Sequence, residues 1–157
     1  MTLQGFVEVM EAVAGSQPAI RTVIRADVYR LNALPSVRYG VFAWQQRMHR
    51  VERDRMQLAF HLFYVDRLDL IDGGSPVGNE LDVQSVGIRV LANIIRTVAE
   101  RTGVSVGGYT VEAFNQRFSD LCAGVYATVT FNVPAEWICG VEGADYNEDY
   151  NDDYDII

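Results

Sequence analysis

One segment dictates more of the fold than any other. Between Gly124 and Pro134, Val125, Ala127, Val129, Phe131 and Val133 alternate with Tyr126, Thr128, Thr130 and Asn132. Successive side chains on a strand point to opposite faces, so this run builds an amphipathic strand with one face in a core. Such a strand needs a ladder for its backbone and a cover for its apolar face. Residues 56–65 offer a partner. Met56, Leu58, Phe60, Leu62 and Tyr64 fall on one face, with Gln57, Ala59, His61, Phe63 and Val65 on the other. Both faces are partly apolar, as expected of a central strand. Val37–Gln45, rich in β-branched and aromatic residues after Pro35, reads as a third strand, and Ser105–Asn115 as a fourth.

Two helices complete the pattern. Leu3, Phe6, Val7, Met10, Val13 and Ala14 follow helical spacing over residues 3–14, with Thr2 as N-cap and Gly15 and Pro18 as the stop. Val86, Val90, Ile94 and Val98, flanked by Leu91 and Ile95, make a longer helix over 81–101, closed by Thr102 and Gly103. Residues 19–34 fit a strand or a short helix equally. Residues 69–79, with Gly73, Gly74 and Pro76, read as a loop. Strands 37–45 and 56–65 form a long central hairpin with its tip at Arg47–Arg55. The expected fold is α+β: a mainly antiparallel sheet of four to five strands, with two helices packed on one face.

Charge divides the chain. Residues 141–157 hold seven acids, no base, and tyrosines at 146, 150 and 154. The remaining fourteen acids face thirteen bases, all arginine, in residues 1–140. A single near-neutral domain over 1–140 with an acidic, tyrosine-rich tail over 141–157 is therefore expected. Net charge −8 argues against general duplex DNA binding, which needs phosphate neutralisation. No apolar run approaches the roughly 18–20 residues of a transmembrane helix. The first fifteen residues carry Glu8 and Glu11 and no base, unlike a secretory signal. Two cysteines, Cys122 and Cys139, are expected to make neither a disulfide framework nor a four-ligand zinc site. They are expected as small buried groups in a reducing compartment.

Catalytic signatures are missing: no phosphate-binding glycine loop, nucleophile elbow or metalloprotease pair. Asp66, Asp69 and Asp72 are spaced by three, as turn formers. Asp145, Asn147 and Asp149 have a calcium-loop spacing, but Tyr150 stands where that loop needs glycine. No cofactor or metal is expected. An enzyme would have to rely on His61 with an acid such as Asp66. A small-molecule-binding module would line a pocket with Trp44, Phe60, His61 and Phe63. The hairpin tip is more telling. Arg47, Arg50, Arg53 and Arg55, with His49, form a basic arm in a chain that owns an acidic tail. Arginine forks suit carboxylate partners at interfaces. The expected contact set is that arm together with Tyr146, Asp149, Tyr150, Asp153, Tyr154, Ile156 and Ile157, the tail of one copy docking on the arm of the next or on another protein.

The order α–β–β–α–β–β with a long central hairpin resembles the tail-terminator and tail-completion proteins of long-tailed phages. Asp27–Pro35, Tyr39–Trp44, Phe63–Leu68 and Val86–Ile95 are similar to stretches in virion proteins of Bacteroidales phages, including the crAss-like phages. The resemblance spans roughly residues 3–135. It implies a non-enzymatic ring, sixfold or twelvefold, in the virion neck or head-proximal tail, assembled in the bacterial host cytoplasm. It also implies portal-side and tail proteins as neighbours, and a lumen that passes DNA without sequence-specific binding or any membrane.

Overall fold

The computed structural model describes residues 1–26, 38–52, 55–68, 70–71, 75–76, 79–117, 121–134 and 137. Helix α1 spans Leu3–Gly15, and Thr2 caps it, its Oγ1 accepting the Gly5 N–H at 3.1 Å. Strands β1 (Thr22–Arg25) and β2 (Val41–Gln46) follow, then β3 (Arg50–Val51) and β4 (Arg55–Arg67). The expected loop at 69–79 contains two short strands, β5 (Leu70–Ile71) and β6 (Ser75–Pro76), paired with each other. Helix α2 spans Glu80–Thr102 and stops at Gly103, whose φ of +72° is the left-handed cap that glycine takes without strain. Strands β7 (Ser105–Arg117) and β8 (Leu121–Pro134) close the domain.

The main sheet runs β1-β2-β4-β8-β7, with β3 added beside β4. It has six strands, not four to five, and it is mixed. The two additions have separate causes. The undecided stretch after residue 19 contributes β1, which pairs parallel to β2 from Thr22↔Val41 to Arg25↔Trp44. The hairpin arm contributes β3 through Arg50↔Gln57. All other pairs in this sheet are antiparallel. Gly40 is needed at the entry to β2: its φ is +84°, and a Cβ there would lie 2.4 Å from the Ala19 carbonyl oxygen. That close approach lets the Arg21 N–H donate to the Gly40 carbonyl at 2.8 Å, which seats β1 against β2.

Both helices cover one face of the sheet. Phe6, Met10 and Val13 of α1 and Leu91, Ile94 and Val98 of α2 are buried with Phe60, Leu62, Val129 and Phe131. The alternation in β4 and β8 thus sorts side chains as its period requires. The opposite face carries a smaller cluster of Val41, Ala43, Phe63, Val65 and Cys122. Cys122 is buried as expected; Cys139 lies outside the described residues. No helix among the described residues is long and apolar enough to cross a membrane.

Candidate functional site

The basic arm is built where the β2–β4 ladder ends. The last β2–β4 pair is Gln46↔Phe60. Beyond it the Ala59 amide needs a new acceptor, because an unpaired buried N–H costs as much as a lost hydrogen bond. His49 supplies it: its Nδ1 accepts the Ala59 N–H at 3.1 Å, and the Arg47 N–H donates to the Ala59 carbonyl at 2.9 Å. The imidazole packs on Phe60 with ring centroids 5.7 Å apart. His49 is thus turned inward, as the latch that holds the arm to β4. With Nδ1 accepting, the proton sits on Nε2, which is buried without a partner.

The arm's charge is partly spent within the arm. Glu52 accepts from the Arg55 Nε at 2.5 Å and lies 4.0 Å from the Arg50 guanidinium. Arg47 is exposed. Arg53 and the tail residues Tyr146, Asp149, Tyr150, Asp153, Tyr154, Ile156 and Ile157 lie outside the described residues.

Both histidines are pushed below their ordinary pKa, His49 by burial and His61 by burial and then by the Arg47 charge. The folded chain therefore binds fewer protons than the unfolded chain as each imidazole titrates. Stability is full above the unfolded histidine value of about 6.5 and falls as pH drops through it. Urea unfolding at pH 7.5 and at pH 5.5 checks this. The expected result is a lower midpoint at pH 5.5 in the parent and a smaller drop in His49→Asn, whose amide oxygen can still accept from Ala59. An equal drop in both removes His49 from the account.

The residues weighed for chemistry do not converge. His61 and Asp66 are five positions apart on β4 and point to opposite faces, about 16 Å from each other along the strand. His61 instead sits among rings, 6.1 Å from Phe63 and 6.1 Å from Tyr126. Asp66 accepts from the Tyr64 hydroxyl at 3.2 Å and from the Arg67 N–H at 2.8 Å. Burial, followed by that Asp66 charge, raises the Tyr64 pKa well above its usual range. Trp44 and Phe60 are core residues under the helices, whereas His61 and Phe63 lie on the other face, so the four share no pocket. Among the described residues, no three His, Cys, Asp or Glu side chains gather as metal ligands.

Two features stand out that sequence spacing did not announce. β7 is a sheet edge thirteen residues long. Ser105, Gly107 to Thr110, Glu112, Ala113 and Asn115 on it are exposed, and Glu112 and Arg117 are its only charged residues. The second feature is a gathering of Arg21, Arg38 and Arg67 around one cavity, brought about by the parallel β1–β2 pair. No protein-family model matches the chain, and no curated protein is significantly similar to it.

Proposed function

We propose that this chain is a non-enzymatic structural subunit that joins copies of itself into a ring in a phage neck or head-proximal tail, around the DNA channel. The observation that carries the assembly is the β7 edge. Natural sheets guard exposed edges with lysine, proline, short length or strong bulges, because unpaired backbone groups recruit other strands. Here thirteen residues of edge carry one glycine bulge, between Val106 and Tyr109, and two charged residues. A neighbour's strand can satisfy such an edge by β-augmentation. The opposite edge, β1, belongs to the same sheet, so head-to-tail pairing of the two edges can repeat and close. The arm projecting beyond the β2–β4 ladder is a second contact for a neighbour or a flanking virion protein. The phage setting rests on the resemblance in element order and in the stretches named above.

The edge is testable without harming the fold. Thr110 and Ala113 are exposed, so Thr110→Lys with Ala113→Lys should change stability by less than about 1 kcal/mol. Sedimentation velocity of the double variant is expected to show self-association weakened at least about tenfold, since each edge-to-edge contact would bury lysines. Unchanged association would remove β7 from the interface.

A further inference from the structure

A groove runs along α2 beside the turn that joins α1 to β1. Two adjoining cavities, of about 760 and 480 Å³, share Pro18, Ala19 and Val86 as a common apolar floor. Arg21 and Arg38 stand at the wide end and Arg89 at the narrow end. Among the described residues none of these three guanidinium groups has an ion-pair partner. That sets the groove apart from the arm, where Glu52 already engages Arg50 and Arg55. Two carboxylates also line the wide end. Asp66 is taken up by Tyr64 and the Arg67 backbone, and Asp82 sits in the first turn of α2, where the helix dipole favours it. Arginine recognition on this wall has an aromatic precedent in the Arg67 guanidinium, 4.8 Å over the Tyr39 ring.

Arginines with no ion-pair partner among the described residues, set over an apolar floor, select an extended ligand that is acidic and aromatic together. The chain contains such a segment. Residues 141–157 hold seven acids and three tyrosines, one every fourth residue, and no base. We propose that the groove receives residues 141–157 of a neighbouring copy, with carboxylates on Arg21, Arg38 and Arg89 and tyrosine rings on Pro18, Ala19 and Val86. This rests on the assembly reading above. The groove borders β1, one edge of the sheet, and the tail follows β8, next to β7 at the other edge. Head-to-tail pairing brings those two edges together, which delivers one copy's tail to the next copy's groove. Length permits it: β8 from Gly124 to Pro134 covers about 33 Å, and any twenty residues, the number from 138 to 157, can span about 66 Å when fully extended.

The test uses the full chain and two variants, a groove variant (Arg21→Glu, Arg38→Glu, Arg89→Glu) and a tail variant (Tyr146→Ser, Tyr150→Ser, Tyr154→Ser). A labelled synthetic peptide of residues 141–157 is titrated into each at about 50 and about 500 mM salt, which changes screening several-fold. Sedimentation velocity then follows each variant alone and the two mixed. Expected are peptide binding to the tail variant, whose grooves are free of its own tails, at least tenfold weaker binding to the groove variant, and loss of affinity at high salt. Each variant alone should associate at least tenfold more weakly than the parent, and mixing should recover heterotypic pairs. A milder set, Arg21→Gln with Arg38→Gln and Arg89→Gln, guards against a misfolded groove variant. Equal peptide affinity for the tail variant, the Glu set and the Gln set overturns the groove, whatever the mass of the parent. Parent-like association of both variants overturns docking between copies and leaves the ring reading standing. A monomeric parent whose tail variant binds peptide at least tenfold more tightly than the parent does shows the tail held by its own chain, which overturns the proposal and the ring reading together.

Discussion

Phe60→Ala is expected to destabilise the domain by about 3–5 kcal/mol, the cost of truncating a buried aromatic that its neighbours cannot collapse around. Phe60 is fully buried at the middle of the core. Its ring stacks on Phe6 at 5.7 Å and meets Trp44 at 6.1 Å and Phe131 at 6.2 Å edge to face. It therefore joins α1 to β2 and β8 at one point. The lost transfer energy, the cavity and the ring-to-ring contacts act together. In a chain of this length the change corresponds to a fall in Tm of about 6–20 °C. The same ring supports His49, so amide exchange at Ala59 should also quicken. Urea unfolding checks the first effect and hydrogen exchange the second. Met48→Ala on the exposed arm serves as the control, with an expected change below about 0.5 kcal/mol. A Phe60→Ala loss no larger than the control's would mean that the helices are not anchored to the sheet as described.

Gly124→Ala is expected to have an effect of similar size for an unrelated reason. Gly124 pairs with Val65 on one side and with Phe114 on the other. A Cβ there would lie 2.1 Å from the Tyr64 carbonyl oxygen and 2.8 Å from the Phe114 ring. The first contact is backbone and cannot swing aside, so β4 and β8 must separate locally. Overpacking of this kind costs typically about 1–3 kcal/mol and more where the backbone must shift; about 3 kcal/mol is expected here. Phe114 spreads over the glycine and fills the space that a side chain would have used, a known way of supporting glycine in a strand. Thermal unfolding of Gly124→Ala checks this. A variant as stable as the parent would contradict the β4–β8 register.

Much of the fold was legible because its signals are local. Thr2 caps α1, Gly103 ends α2, and the period-two runs of β4 and β8 sort their own faces. The parts that were not legible depend on distant chain. Residues 22–25 are too short for periodicity to tell strand from helix. Their parallel pairing depends on Gly40 approaching Ala19, a contact between segments twenty-one residues apart. The arm reads in sequence as a hairpin tip with His49 among its outward contact residues, yet it adds a strand and turns His49 inward, because the Ala59 amide needs an acceptor where the ladder stops. The candidate surfaces were legible only in part. The arginines of the arm, at 47, 50, 53 and 55, lie within nine residues, and their enrichment is visible in the sequence. Arg21, Arg38 and Arg89 lie far apart along the chain, and only the fold assembles them.

The proposed ring is a closed assembly of copies of this chain. Native mass spectrometry of the purified full chain, over a range of protein concentrations and at low and physiological salt, tests it most directly. The expected result is a discrete species of six or twelve subunits, with no ladder of open oligomers. A monomer at every concentration and salt, or a continuous ladder without a closed species, would contradict it.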